Sequence, residues 1–222
     1  MKVTGSNIVV TGASAGIGAA LAPLMTKAGA TVAVVARREE RLKAIVDGGD
    51  AARYYACDMD DPVAAEAVIL QAWDDMGGVD ILVNNAAIPK RRRVQDLTLA
   101  EIDETMRVNF ESPVRMTMAL LPKWLDRDHG MVVNVSSFGG RAGIMHEAAY
   151  CASKFALCGW SESMAMELWR TGVKVRLIIP GAIATEIWDL PGNDAPVFNG
   201  AKEPPTAVAP GIHRELRGST FR

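Results

Sequence analysis

Short runs of β-branched and aliphatic residues alternate along this chain with longer stretches of helical periodicity. That alternation limits the possible folds more than any other feature. The runs fall at residues 7–11 (NIVVT), 31–36 (TVAVVA), 52–57 (ARYYAC), 80–84 (DILVN), 131–135 (MVVNV) and 173–179 (VKVRLII). They are nearly continuously apolar, as parallel strands covered on both faces are. Helices are predicted between them at 17–28, 39–47, 62–76, 99–126 and 147–170, with one more at about 206–217. The punctuation agrees: Gly29, Gly48-Gly49 and Gly77-Gly78 close helices, while Asp61-Pro62 and Thr98-x-x-Glu101 open them. Pro23 falls inside the first helix, where it is expected to remove one hydrogen bond and bend the axis. Strands alternating with helices predict right-handed crossovers and an α/β doubly wound parallel sheet of Rossmann type, six strands with helices on both faces.

The chain of 222 residues reads as a single domain, 1–222, with no repeat or linker dividing it, and its 49% hydrophobic content can fill one core. A loop rich in Pro, Gly and Asn, 187–205, is expected to lie over the ligand site. The net charge of −2 offers no general attraction to nucleic acid or an anionic membrane, and no apolar run reaches the roughly 20 residues of a membrane helix. Cys57, Cys151 and Cys158 form no CxxC or Cys/His cluster, which predicts reduced thiols, a cytoplasmic location and no metal. The apolar run at the N-terminus is too short for a signal peptide.

In a doubly wound sheet, ligands bind beyond the carboxyl ends of the strands. The first strand there runs into TGASAGIG, with Gly12, Gly16 and Gly18 around Ser14 and Ile17. Glycines permit a tight turn and let backbone N–H groups approach a phosphate at a helix N-terminus. The spacing is G-x-x-x-G-x-G, so it departs from the G-x-G-x-x-G dinucleotide fingerprint. The second strand ends VVARREER, placing Arg37 and Arg38 where an acid would take the ribose hydroxyls of NAD. Guanidiniums there suit a 2′-phosphate, so NADP(H) is favoured, NAD(H) stays possible, and Arg37, nearer the strand, is the stronger candidate. Further on, Tyr150 precedes Lys154 by four residues on a predicted helix, so phenol and ammonium share one surface. A stacked amphipathic pair explains that spacing as well as an acid/base pair does, and a nearby positive charge is expected to lower the phenol's pKa.

Six motifs in order decide between them. TGASAGIG, NNAA (84–87), RVNF (107–110), NVSS (134–137), YCASK (150–154) and PGAIATE (180–186) together resemble the short-chain dehydrogenase/reductase family in its compact form. The resemblance extends from residue 7 to about 186, with Ala87 in place of a usual glycine. It implies that Tyr150 is the proton donor and acceptor, with Lys154 lowering its pKa and holding the nicotinamide ribose. Ser137 would bond the reacting oxygen, and Asn109 would support the lysine through water. Asp58 would meet the adenine, Asn85 and Ala86 the adenosine ribose, and Thr185, after Pro180 and Gly181, the nicotinamide carboxamide. The family also pairs its long helices across two-fold axes, which implies a homodimer or homotetramer. Apolar residues such as Met116, Leu120, Leu157, Trp160 and Met164 are expected to serve that pairing.

The expected activity is hydride transfer between a nicotinamide and a small-molecule secondary alcohol or ketone. The same mechanism on an acyl-thioester or a dihydrodiol is an alternative, and a redox sensor without turnover is a third reading. Phe138, Met145, Ile187 and Trp188, with Leu190 and Phe198, are candidate pocket walls and equally plain core. Lys90-Arg91-Arg92-Arg93 reads as a solvated loop before an acidic-ligand site. After the helix at 206–217 the alternation calls for another strand, beginning near Phe221-Arg222, so the sequence is expected to continue beyond its last residue.

Overall fold

The protein is described by a computed structural model over residues 2–217. Six strands, β1 (Asn7–Thr11), β2 (Thr31–Ala36), β3 (Arg53–Ala56), β4 (Ile81–Asn84), β5 (Gly130–Val135) and β6 (Val173–Ile178), form one sheet in the order β3-β2-β1-β4-β5-β6. Every neighbouring pair is parallel, with Val9 opposite Ala33 on one side of β1 and opposite Leu82 on the other. β4 and β5 are buried at every residue, the pattern of parallel strands covered on both faces. The strand order reverses at β1, and the crevice between β1 and β4 is the switch point where such sheets take ligands.

The helices are α1 (Gly16–Lys27), α2 (Glu39–Asp47), α3 (Pro62–Met76), α4 (Leu99–Met106), α5 (Ser112–Asp126), α6 (Ala148–Glu167) and α7 (Pro205–Arg217). One face of the sheet packs against α1, α2 and α7, burying Leu21, Met25, Leu42 and Ile212. The other packs against α3, α5 and α6, burying Ile69, Leu120, Trp124 and Met164. The capping signals form as expected. The Asp61 carboxylate accepts from the N–H groups of Val63 and Ala64, and Gly77 ends α3 at φ 68°. Thr98 and Glu101 cap α4 reciprocally. α1 runs unbroken through Pro23.

The expected helix at 99–126 is three segments. A π-helical turn, Arg107–Glu111, separates α4 from α5. Pro113 has no N–H to offer the Asn109 carbonyl four residues back, so the regular ladder lapses there. The wide turn carries Asn109, and such bulges recur at functional sites. Among the described residues β6 is an edge strand. The further strand expected near Phe221 lies outside the described residues. No helix among them is long and apolar enough to cross a membrane.

Candidate active site

At the carboxyl ends of the strands lies a cleft of about 710 Å³. Its floor is the glycine turn between β1 and α1. Gly12 sits at φ +66°, and a Cβ on it would meet the Ala86 Cα at 2.7 Å. Gly16, at φ +59°, lets the turn pass under Thr185, whose methyl carbon would lie 2.9 Å from an added Cβ. Ser14 and Ile17 line the same wall. Gly18 does not: it is buried within α1, where an added Cβ would lie 2.8 Å from Asn85 Nδ2 and 2.8 Å from the Gly12 carbonyl. The absence of a Cβ there permits close packing of helix on strand. Ala15, at the N-cap of α1, brings no side-chain cap, so the leading N–H groups of the helix are left for a ligand. An anionic pyrophosphate fits that cradle.

The side expected to take the adenosine is walled by Arg37, Arg38, Asp58, Asn85 and Ala86. The two arginines are placed differently. Arg37 is exposed, 3.7 Å from the Asp58 carboxylate. The Arg38 guanidinium turns to the glycine turn and donates to the Ser14 hydroxyl at 2.9 and 3.1 Å. Thr11 was not singled out from the sequence, although it is the polar end of an apolar strand. Its hydroxyl accepts from the N–H groups of Asn85 (3.0 Å) and Ala86 (3.1 Å), fixing the exit of β4 beside the turn.

At the side of the cleft expected to take the nicotinamide, Ser137, Tyr150 and Lys154 line the wall with Pro180, Gly181 and Thr185. Ser137 follows β5, and its hydroxyl accepts from the Gly139 N–H at 3.1 Å. Tyr150 and Lys154 stand one turn apart on α6. Lys154 is only 2% exposed, and its ammonium donates to the Val135 carbonyl at 2.9 Å and lies 5.8 Å from the Tyr150 ring centre. Ser136 lies behind, its hydroxyl against the Lys154 carbonyl and the Cys158 thiol. Asn109 does not reach the cleft. It is buried, and its amide brackets the backbone of Ile88 (2.9 Å each way) and donates to the Ser153 hydroxyl at 3.0 Å. It ties the β4 exit to the helix that carries Tyr150 and Lys154.

Burial pushes the Tyr150 phenol up to about 12; the Ser137 hydrogen bond pulls it back in part, and Glu147 and Cys151 push it further. Burial also presses Lys154 down to about 8, against an opposing pull from Cys158. In the protein alone, burial is the largest cause of both shifts and moves each group toward its neutral form.

Of the candidate pocket walls, Phe138, Ile187 and Trp188 line the cleft, joined by Leu190 and Phe198. Met145 does not: it is 68% exposed, and Ile144 takes the wall position. The chain turns sharply at the next residue, His146, whose φ is +66°. The run Lys90 to Arg93 is not a solvated loop. Arg91 is 2% exposed, and its guanidinium donates to the carbonyls of Ile187 (3.3 Å), Trp188 (2.5 Å) and Asp194 (3.1 Å). Lys90 pairs with Glu104, Arg92 with Glu101 and Asp194, and Arg93 with Asp96. The Arg92 N–H also donates to the His146 carbonyl, so this run fastens both pocket segments.

A family model described as short chain dehydrogenase matches residues 6–194. Among curated relatives, the ketoacyl reductase HetN of Nostoc sp. is 33% identical over 186 residues, 82% of this chain and 65% of that protein. D-threitol dehydrogenase of Mycolicibacterium smegmatis is 34% identical over 202 residues, 87% of this chain and 78% of that one. The 3-oxoacyl-[acyl-carrier-protein] reductase FabG of Vibrio cholerae is 37% identical over 188 residues, 84% of this chain and 77% of that one. The chain thus spans between about two thirds and four fifths of these relatives' lengths. Among solved structures, a short-chain dehydrogenase from Streptomyces avermitilis superposes with a TM-score of 0.88 at 30% identity, covering 99% of this chain and 86% of that one. One from Sphingobium yanoikuyae in complex with NADPH gives 0.86 at 26% identity, covering 96% and 84%. Sheet order, glycine turn and sequence similarity agree, and the chain belongs to the short-chain dehydrogenase/reductase family of nicotinamide-dependent oxidoreductases.

Proposed function

We propose that this chain is an NADP(H)-preferring oxidoreductase that interconverts a secondary alcohol and a ketone, with Tyr150 as the acid and base. The observation that carries the reading is the convergence of Ser137, Tyr150 and Lys154 on one wall of a cleft whose floor is the glycine turn. The nicotinamide, when bound, supplies or accepts the hydride. The chain's own residues manage the oxygen. Ser137 and Tyr150 donate hydrogen bonds to it, and Tyr150 gives up its proton as alkoxide character develops. A phenol pushed up to about 12 keeps that proton at neutral pH, which favours the donor role in ketone reduction. Lys154, still largely protonated there, places a positive charge beside the phenolate that forms.

Arg38 at the turn supports the preference for a 2′-phosphate, since β2 ends in Ala36 and is followed by Arg37 rather than an acid. Gly12, Gly16 and Ser14 would hold the pyrophosphate, and Thr185 the carboxamide. The relatives named ketoacyl reductases favour a second reading, the same mechanism on an acyl-thioester ketone. A sensor without turnover has no use for the assembled Ser137–Tyr150–Lys154 wall. The three free, buried cysteines accord with a reducing, cytosolic compartment.

Tyr150→Phe tests the mechanism. Ring packing is kept and the proton is lost, so ketone reduction with NADPH should fall roughly 100- to 10,000-fold while NADPH still binds. Unchanged turnover in the purified variant would place the acid elsewhere.

A further inference from the structure

Glu147 is a buried carboxylic acid that the chemistry above does not use. It stands three residues before Tyr150, is 9% exposed, and lines the cleft with Ile144, Trp188 and Tyr150. It occupies the N-cap of α6, where an acidic side chain ordinarily accepts from the first helical N–H groups. Here it accepts none of them. Only its backbone is engaged: its N–H donates to the Ile144 carbonyl, and its carbonyl accepts from the Cys151 N–H. The carboxyl makes no hydrogen bond or ion pair with any described residue.

The charge that compensates it is Arg91, whose field opposes the upward push that burial gives the Glu147 carboxyl. The Arg91 guanidinium is itself spent on three loop carbonyls and lies 5.7 Å from the Trp188 ring centre. It therefore leaves the carboxyl without a direct partner. A buried acceptor among apolar walls is costly unless something in the cleft donates to it. A cationic donor would be repelled by Arg91, and an anionic substrate by Glu147 itself. A neutral hydroxyl satisfies the carboxyl without either penalty.

We infer that Glu147 is a specificity residue that accepts a hydrogen bond from a second, non-reacting hydroxyl of the substrate, so that the enzyme acts on hydroxylated ketones and the corresponding diols or polyols. The inference rests on the alcohol/ketone reading above.

The test uses purified protein with NADPH and a matched series: 2-hexanone against 1-hydroxy-, 4-hydroxy- and 5-hydroxy-2-pentanone, with 1-dimethylamino-2-propanone as the cationic probe. At least one hydroxyketone should exceed 2-hexanone in kcat/KM by about tenfold or more, chiefly through KM. Glu147→Leu should bring that ratio to about one. Glu147→Gln, which keeps an acceptor oxygen, should retain more of it, and it serves as the decisive variant if the leucine protein fails to fold. Equal use of 2-hexanone and every hydroxyketone overturns the inference alone. So does a preference that survives in Glu147→Leu, or greater activity on the aminoketone. If no ketone in the series is reduced, the alcohol/ketone reading fails, and the inference falls with it.

Discussion

Arg38 joins two parts of the cleft that are 148 residues apart in sequence: its Nη1 donates to Glu186 Oε2 at 2.5 Å. The same guanidinium holds Ser14 in the glycine turn, and Arg41 takes the other Glu186 oxygen at 2.6 Å. Bonds from Arg38, then Arg41, keep the Glu186 carboxyl below its usual range, so it is an anion at neutral pH. The cation proposed for a cofactor phosphate is thus paired with a carboxylate of the same chain, and a 2′-phosphate bound there would share it or displace it. Losing a charge-assisted bond of this kind costs about 1.5–3 kcal/mol, or roughly 10- to 100-fold in affinity. Arg38→Ala should weaken NADPH by that factor and leave NADH nearly unchanged, while Arg37→Ala should do less. Glu186→Gln should tighten NADPH by removing the competing anion. Fluorescence titrations with both cofactors measure all three, and equal affinity of the native protein for NADH and NADPH would contradict the assignment.

Arg91 organises the pocket wall in a similar way. Removing its guanidinium leaves the carbonyls of Ile187, Trp188 and Asp194 without their donor and strips a cation from the face of Trp188. Arg91→Met should therefore loosen residues 187–194, seen as faster amide hydrogen exchange there, and should raise KM more than it lowers kcat. Arg91→Lys should not rescue, because one ammonium cannot span three carbonyls as the planar fork does. Rescue by lysine would mean that charge alone is needed at this position.

These two arginines mark the boundary of what the sequence makes legible. β1 and β2 lie where the apolar runs predict, β4, β5 and β6 differ by one residue at one end and β3 by one at each end, because a strand covered on both faces leaves a continuous apolar signal. The glycine turn and the Tyr150–Lys154 pair are local, and their geometry follows from spacing. Arg91 is different: its carbonyl partners lie 96 to 103 residues away, so a run of four basic residues looks solvated until the chain is folded. Pro113 marks the π turn in the sequence, but the bonds of the Asn109 amide to Ile88 and Ser153 are tertiary, and no helical periodicity announces them. The direction of the Tyr150 shift likewise depends on burial by distant segments. Ile144 and Met145 are equivalent in a hydrophobicity pattern, and which one faces the cleft is decided by the backbone.

The assembly expected from long apolar helices needs a different surface from the one first named. Met116, Leu120, Leu157 and Met164 are buried within the protomer. Met118 and Leu125 on α5 and Phe155 and Met166 on α6 are 41–76% exposed. Phe155, Gly159 and Met166 recur at helical spacing along one side of α6, and a Cβ added to Gly159 would meet nothing within 4 Å. Such stripes favour burial against a second copy. Light scattering at micromolar concentration should show a dimer or tetramer, and Met118→Glu combined with Phe155→Glu should reduce its mass. A native monomer would remove the case for pairing.

The buried ammonium of Lys154 gives stability a pH dependence of definite sign. The folded protein holds this group down at about 8, against 10.5 for an ordinary lysine. Between those values the unfolded chain binds more protons than the folded one, so stability rises with pH across that window. Below about pH 8 the penalty for burying the charge is fully present, on the order of 3 kcal/mol for a shift of that size. Lys154→Met removes the charge while filling most of the volume. It also deprives the Val135 carbonyl of its donor, but that loss is the same at every pH. Tyr150 is common to both proteins, so its contribution cancels. The variant's melting temperature relative to the native protein should therefore be highest near pH 7, and its lead should shrink steadily toward pH 10. A difference that stays constant from pH 7 to 10 would mean that Lys154 keeps an ordinary pKa in the fold, and that the charge beside Tyr150 is well solvated.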